Sequence, residues 1–430
     1  MLIDFTIENY RSIRDRQTLS MERITRLHSE NEPLDTNVQE LSTHELSLLK
    51  SVAIYGANAS GKSNIIHAMR SMKELVVNSA KESQVGESIK GAEPFAFLSK
   101  TRNAPSIFEI RFVLNDTYYR YGYEATTERI EAEWLFKKFK DTKEESELFV
   151  RSDDIIEVSN AFKEGQGLEI RTRDNALFLS VCAQFSGEVS QKIIAEFFDG
   201  LVILKGIPNL RVPEITLGML ENRQSKTFIM SLLNMAGTGI VDIKFDPWLS
   251  KKQINELLEN MGDKLKGKEK QQAVELLPEL VTSLNPPKIQ AIHKGEEGNI
   301  PLPFEVESEG TQKLFALAGP IFNAISRGQT IVIDEFDARL HPILAYRLIE
   351  LFHELSTDGS QLIFTTHDTN LMKKDLFLRD QVWFTEKDNN QETKLYSLAE
   401  FKGVRQGSAY AKNYIQGRFG AIPFMSDFDF

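Results

Sequence analysis

Three features of this sequence predict an α/β fold. A glycine-bounded loop, Gly56-Ala57-Asn58-Ala59-Ser60-Gly61-Lys62-Ser63, stands between an apolar run and a helical one. Two further apolar, β-branched runs come late in the chain and end in acids and in a histidine. Between them lie stretches of strict alternation, which read as antiparallel strands, and then a mostly helical block. The expected architecture is a parallel core with a site at its strand ends, an antiparallel β layer and an inserted helical lobe.

Taken in order, residues 1–20 read as a first strand and hairpin. Residues 51–55 form a buried strand, and Asn64-Ile-Ile-His-Ala-Met-Arg70 opens a helix over 63–80. Residues 107–114 and 117–123 alternate at period two around Asn115-Asp116, a strong hairpin signal, and 128–140 adds another strand. From about 186 to 300 the pattern turns helical. Ile254, Leu257, Leu258, Met261 and Leu265 share one face, as do Val274, Leu277, Val281 and Leu284, before Asn285-Pro286-Pro287 ends the block. Heptads are not sustained, so no long coiled-coil arm is expected. The implied division is 1–185, 186–300 and 301–430.

The glycine-bounded loop has the spacing of a phosphate-binding loop. Gly56 and Gly61 let backbone N–H groups curl around phosphate oxygens without Cβ clashes. Asn58 and Ser60 line the same curl, Lys62 offers a charge to the β/γ-phosphates, and the Ser63 hydroxyl suits Mg²⁺. A strand–loop–helix order sets the phosphates at a helix N-terminus, where unpaired N–H groups favour anions.

The acidic partner, Gln329-Thr-Ile-Val-Ile-Asp334-Glu335, lies 272 residues after the lysine (334 − 62). It reads as a buried parallel strand delivering carboxylates at its C-terminal end. Asp334 is the expected Mg²⁺ ligand and Glu335 the general base for an attacking water. A second strand, Gln361-Leu-Ile-Phe-Thr-Thr366, ends in His367, where an imidazole reaches a γ-phosphate. Phe336-Asp337-Ala338-Arg339-Leu340-His341-Pro342 then leads into a helix over 343–355.

These motifs together resemble the ABC-type ATPase heads of the SMC/RecF/OLD-like branch. The loop has the form GxNxSGKSN, with Asn64 as its last member. Ser308-Glu309-Gly310 is similar to the Ser-x-Gly signature, and Thr-Thr-His to the switch. Ile7-Glu-Asn-Tyr10-Arg11-Ser12-Ile13 is similar to the Asn-Phe-Arg-Ser opening that lies near the nucleotide, so Arg11 and Ser12 join the expected site. The C-terminal Tyr414-Ile-Gln-Gly-Arg-Phe-Gly-Ala-Ile-Pro-Phe424 looks like the tail of prokaryotic stand-alone ATPases related to abortive-infection and RloA-type proteins. The resemblance spans about residues 1–185 and 300–430.

That resemblance implies ATP and Mg²⁺ held between two subunits of a homo-oligomer, a dimer or a multiple of one. Ser308 and Gly310 would touch the γ-phosphate of the other subunit, and Asp337 would sit in the loop crossing the interface. Glu309 stands where these heads carry glycine, adding negative charge beside phosphate. Ser308 followed by Thr311-Gln312 also fits an ordinary helix N-cap, and an N-cap turn facing phosphate is itself an anion site. The glutamine that senses Mg²⁺ in such heads matches no position directly after the loop helix. Gln184 suits a hinge where strands give way to helices, and equally an exposed helix-start glutamine.

Composition bounds the remainder. The chain has 430 residues, 41% hydrophobic, with 28 Phe, enough for a substantial core. No apolar run reaches the roughly 18–20 residues of a membrane span, and no signal peptide opens the chain. The one cysteine, Cys182, excludes an internal disulfide and suits a cytoplasmic protein. A net charge of −11 argues against whole-surface affinity for nucleic acid. A local stripe stays open at Lys251-Lys252 and at Lys264, Lys266, Lys268 and Lys270.

No second catalytic constellation is recognisable in the sequence. The expectation is a slow ATPase whose dimerisation controls a nuclease-like partner encoded nearby, in anti-phage defence. The alternative is a RecF-like ATPase acting directly on DNA. A transporter ATPase fits least, lacking Leu-Ser-Gly-Gly-Gln and an early glutamine loop.

Overall fold

The apolar runs that flank the loop motifs form one parallel sheet. A computed structural model describes residues 1–24, 35–41, 44–82, 84, 86–139, 142, 144–204, 214–245, 288–357, 359–404 and 409–423. The described chain divides into two units, one of residues 1–208 with 323–430, the other of residues 209–322. The sequence-based division fell instead at 185/186 and 300/301. Strand Leu201–Leu204 moves the first boundary later, because it pairs with the acidic strand inside the first unit.

In the first unit, five strands run parallel in the order Leu201–Leu204, Thr330–Ile333, Gln361–Thr365, Ser51–Gly56 and Val382–Lys387. Thr393–Ser397 closes the far edge in antiparallel pairing. Val52, Ile54, Val332, Ile363 and Phe364 are solvent-free, as expected of strands covered on both faces. Pairing aligns Ile333 with Phe364 and Thr365 with Ile54, so the acidic, switch and phosphate-loop strands end side by side.

A seven-stranded antiparallel sheet supplies the β layer, from edge strand Ile155–Val158 across to Leu2–Glu8 and Gln17–Ser20. Its central hairpin, Ser106–Leu114 with Thr117–Ala125, turns at Asn115 and Asp116. Both have positive φ (49° and 58°), as the two-residue turn that matches strand twist requires. Helix Lys62–Glu82 buries Ile65, Ile66, Met69, Met72 and Val76 in one core cluster with Phe5, Phe108 and Phe112 of the antiparallel sheet and Ile54 and Ile363 of the parallel one. Buried Gln361 stitches the two sheets. Its amide oxygen accepts from Leu2 N (2.6 Å) and its amide nitrogen donates to Leu2 O (2.8 Å).

The described residues of the second unit hold strands as well as helices. Helix Arg223–Met235, capped by Asn222, accompanies a three-stranded meander of Ile240–Phe245, Ile289–Gly295 and Gly298–Pro303. The helical faces over 254–265 and 274–284, the lysines of 251–270, Asn285-Pro286-Pro287 and Phe424 lie outside the described residues.

Helix Glu309–Arg327 carries Pro320, which cannot donate to Ala316 O. The Thr216 hydroxyl donates to that carbonyl instead (3.4 Å) and accepts from Gly319 N (3.3 Å). A Cβ at Gly319 would lie 2.8 Å from Thr216 Cα, so the contact needs glycine. From Asn323 the helix belongs to the first unit. There its last carbonyls, of Ala324 and Ile325, accept from Ser360 Oγ (2.9 Å) and Thr357 Oγ1 (2.6 Å).

Candidate functional site

The phosphate loop leaves its strand at Gly56 and enters its helix at Lys62. Gly61 has a φ of +106°, and any Cβ there would collide with the Thr393 side chain. At Gly56 a Cβ would meet Thr385 O at 2.5 Å and Ser60 Oγ at 2.6 Å. Both glycines are thus demanded by what packs behind the loop, in addition to any ligand in front of it.

Behind the loop runs a directed hydrogen-bond chain. Asn64 Nδ2 donates to Ser12 Oγ (2.6 Å), which pairs with Thr393 Oγ1 (2.8 Å), and Thr393 donates to Ser60 O (2.9 Å). Since the Thr393 proton goes to a carbonyl, Ser12 is the donor to Thr393. Thr393 N also donates to Ser12 O (2.7 Å), and Ser60 Oγ pairs with Thr385 Oγ1 (2.7 Å). The side chains of Ser12, Ser60 and Asn64 are therefore spent on the loop's shape. Thr393 and Thr385 went unnoticed in the sequence; for Thr385 the signal is a hydroxyl in an apolar strand.

Lys62 is nearly buried, and its ammonium donates to Gly56 O (2.8 Å) and Ala57 O (3.0 Å). Desolvation lowers its pKa to about 8, opposed by the charges of Asp334, Asp337 and Glu335. All three carboxylates are near enough for their charge to act on the lysine. Asp334 N donates to Leu204 O (3.1 Å), and Asp334 Oδ1 accepts from Thr365 Oγ1 (2.5 Å). Glu335 adopts a φ of +51°, rare for a side-chain-bearing residue, and its N–H donates to Thr365 Oγ1 (2.8 Å). Exposed Glu335 thus stands at the strand end on a constrained backbone.

Asp337 Oδ2 accepts from His367 N (3.4 Å), tying the loop after the acids to the switch. The His367 ring lies at the exposed rim. Its pKa is lowered first by partial desolvation and then by the Lys62 charge, with Asp337, Glu335 and Asp334 opposing. Lys62, Asp334, Glu335, Asp337 and His367 therefore form one electrostatic group at adjoining strand ends. Helix Pro342–Leu355, started by His341 with Pro342 in its first turn, carries the acid loop away.

The donors suit Mg²⁺. Ser63 lies in the first turn of the loop helix, and Asp334 follows the acidic strand with one oxygen already oriented by Thr365. Among the described residues no group of three or more His, Cys, Asp or Glu forms a protein cage for a metal. Mg²⁺ bound chiefly through phosphate oxygens and water needs only one or two protein donors.

Of the other expected site residues, Arg11 and Gln184 have other surroundings, and Ser308 and Gly310 belong to the second unit. Arg11 (φ +48°) forms a bidentate pair with Glu93 at 2.8 and 3.0 Å, which raises the guanidinium pKa and lowers that of the carboxylate. Gln184 is exposed at the end of helix Phe178–Gln184, where the sequence suggested a helix start. The start of that helix is held by buried Glu133, which accepts from Phe178 N (2.5 Å) and Leu179 N (3.0 Å). In the second unit, Ser308 opens helix Glu309–Arg327. Its hydroxyl accepts from Thr311 N (3.2 Å), its carbonyl accepts from Gln312 N (3.0 Å), and Gly310 follows in the first turn. The N-cap reading of Ser308 is thus the observed geometry.

Alongside the loop lies a cavity of about 670 Å³. It is bounded by Ala57, Asn58, His367, Lys387, Tyr414 and Ile422. The tail reaches it because Tyr414 stacks on Phe384 (5.4 Å) and donates to Ala421 O (2.9 Å). No helix among the described residues is long and apolar enough to cross a membrane.

Among curated proteins none matches the sequence. Solved SMC heads are distant structural likenesses, each with a TM-score below 0.5. One, an SMC head bound to the C-winged helix domain of ScpA, is 14% identical with a TM-score of 0.44, over 92% of this chain and 97% of that one. The SMC head domain from Thermotoga maritima is 13% identical at a TM-score of 0.40, over 92% and 98%. An Smc head with an extended coiled coil, bound to the C-terminal domain of ScpA derived from Pyrococcus furiosus, is 14% identical at 0.39, over 92% and 96%. The family model described as "AAA domain, putative AbiEii toxin, Type IV TA system" matches residues 51–176 and 211–373, which include the phosphate loop, both acids and the switch histidine. The chain belongs to that family, and with it to the ATP-binding ATPases.

Proposed function

We propose that this protein is an ABC-type, Mg²⁺-dependent ATPase whose site is completed by a second copy of the chain and whose ATP state controls a partner effector. The observation that carries it is the convergence of Lys62, Asp334, Glu335, Asp337 and His367 at adjoining strand ends.

In this reading the loop N–H groups and Lys62 hold the β/γ-phosphates, and Ser63 and Asp334 hold the metal, which neutralises charge on the transferring phosphoryl group. Exposed Glu335 takes the proton of the attacking water, and His367 meets the γ-phosphate. The fixed position of Glu335, set by its backbone, is what a base at hydrogen-bond reach of water needs. Ser308 and Gly310 present the positive end of the helix that Ser308 caps to the γ-phosphate of the other copy. Ser12 and Asn64 act from behind the loop, Arg11 is held by Glu93, and Gln184 is assigned no contact.

The partner is proposed to be a nuclease-like protein encoded nearby, acting in the cytoplasm in anti-phage defence, since no second catalytic constellation is recognisable in the sequence. Membership of a family whose description includes a toxin–antitoxin system supports that direction. Glu335→Gln tests the chemistry. It is expected to bind ATP at parental affinity, to hydrolyse it about 10²–10⁴-fold more slowly, and to accumulate as an ATP-bound dimer in size-exclusion chromatography. Parental turnover would remove Glu335 as the base. Affinity purification of the trapped form then reports the partner, and turnover stimulated by bare DNA would favour a DNA-acting ATPase instead.

A further inference from the structure

We infer that Thr365 is the positioning residue for both acids, setting the metal ligand and the base from a single buried hydroxyl. The inference rests on the proposed roles of Asp334 and Glu335. Thr365 closes the switch strand and is solvent-free. It touches three consecutive residues of the acid loop. Its Oγ1 donates to Asp334 Oδ1 (2.5 Å), the same oxygen accepts from Glu335 N (2.8 Å), and its carbonyl accepts from Phe336 N (3.0 Å).

The proton assignments are forced. A backbone N–H only donates, so the hydroxyl oxygen must accept from Glu335. An ionised carboxylate only accepts, so the single hydroxyl proton goes to Asp334. No other residue type of this size provides both at once: valine keeps the volume and loses both bonds, and serine keeps both bonds and loses a methyl group.

Two consequences follow. First, one Asp334 oxygen is immobilised, so the carboxylate meets a cation in one orientation. Partners of this kind behind a metal ligand are worth about 10–100-fold in affinity or activity. Second, the Glu335 N–H bond holds a left-handed backbone that L-residues adopt only at a cost. Without the acceptor, Glu335 is free to relax, and its carboxylate leaves the place set for it. Because the position is solvent-free, no water is at hand to take the hydroxyl's part.

The test compares Thr365→Val and Thr365→Ser in the full chain. Mn²⁺ affinity in the presence of ADP is read by electron paramagnetic resonance, nucleotide binding without metal by fluorescence, and kcat and KM by phosphate release. Thr365→Val is expected to weaken Mn²⁺ binding about tenfold and lower kcat about 10–100-fold. Metal-free nucleotide binding and KM should stay within about twofold, and Thr365→Ser should restore most of both losses. If Thr365→Val does not fold, Thr365→Cys, with a weaker donor of similar size, carries the same expectation.

Parental Mn²⁺ affinity and kcat in Thr365→Val would overturn the inference, as would an equal loss in Thr365→Ser. Asp334→Asn and Glu335→Gln separate the two levels. If they lose Mn²⁺ affinity and turnover respectively while Thr365→Val is unchanged, only the role of Thr365 falls. If Asp334→Asn keeps parental Mn²⁺ affinity, the metal-ligand assignment falls and takes this one with it.

Discussion

The loop and acids of the first unit are held from behind by buried hydroxyls, whereas in the second the Ser308 hydroxyl bonds within its own helix start. Ser12, Thr393, Ser60 and Thr385 brace the phosphate loop, and Thr365 braces Asp334 and Glu335. The bonds behind the phosphate loop join residues more than 300 positions apart, such as Ser60 with Thr393. At Ser308 the contacts reach only Thr311 and Gln312, and Ser308 is exposed. The first arrangement is a pre-set cradle; in the second the Ser308 hydroxyl bonds within its own helix start, while Glu307 beside it pairs with His293. A site completed from another copy would divide in this way: the cradle binds alone, and the turn acts only when a phosphate is presented to it.

Four experiments break or sharpen that contrast, the largest effect first. Lys62→Ala removes a charge-assisted contact inside the cradle and should weaken ATP binding about a hundredfold or more. Isothermal titration measures it, and retained tight binding would mean that the loop is not the nucleotide site.

Ser308→Ala should leave ATP binding unchanged while slowing hydrolysis about tenfold to a hundredfold and costing about 1 kcal/mol of stability as a lost N-cap. Mixing it with Lys62→Ala sharpens the test. If each site takes its cradle from one copy and its turn from another, mixed dimers regain part of the activity that neither variant has. A mixture as inactive as its components would leave Ser308 an N-cap alone.

A pH series probes the cradle more gently. Lys62 in the free protein gives up its proton at about pH 8, and the protonated form is the one that meets phosphate. ATP affinity should therefore be full below pH 8 and fall above it, approaching about tenfold per pH unit. Stability runs the other way. Between about 8 and the ordinary 10.5 the unfolded lysine keeps its proton while the folded one has lost it, so the desolvation penalty present at neutral pH is relieved as pH rises. Lys62→Met should accordingly raise the melting temperature at pH 7 and lose that advantage towards pH 10.

The smallest effect belongs to the second unit. Thr216→Val strips the donor that replaces the missing N–H of Pro320 and should cost about 1 kcal/mol, read by denaturant unfolding. ATP binding at the cradle should not change.

How much was legible in the sequence differs between the same two regions. The phosphate loop, both acid strands, the hairpin at Asn115-Asp116 and the helix from Pro342 were readable because each is a local pattern: glycine spacing, apolar β-branched runs, turn residues, an N-terminal proline. The meander of the second unit was missed because its strands are short and its third, Gly298–Pro303, is exposed throughout, leaving no apolar period to read. Gln184 was left open between a hinge and a helix start, and it ends helix Phe178–Gln184, whose start is held by distant Glu133 and not by a cap of its own.

The sequence by itself therefore determined which chemical groups are present and on which elements they ride: Lys62 and Ser63 at a helix start, Asp334 and Glu335 at a strand end, His367 at another. Local backbone preferences and hydrophobic period encode those assignments residue by residue. Only the tertiary structure decided that Thr365 lies between the acids, that Thr393 closes behind Gly61, and that Arg11 is claimed by Glu93. Those are choices among distant hydroxyls and charges that no local pattern ranks. They are made when neighbouring strands come into register and buried polar groups must find partners.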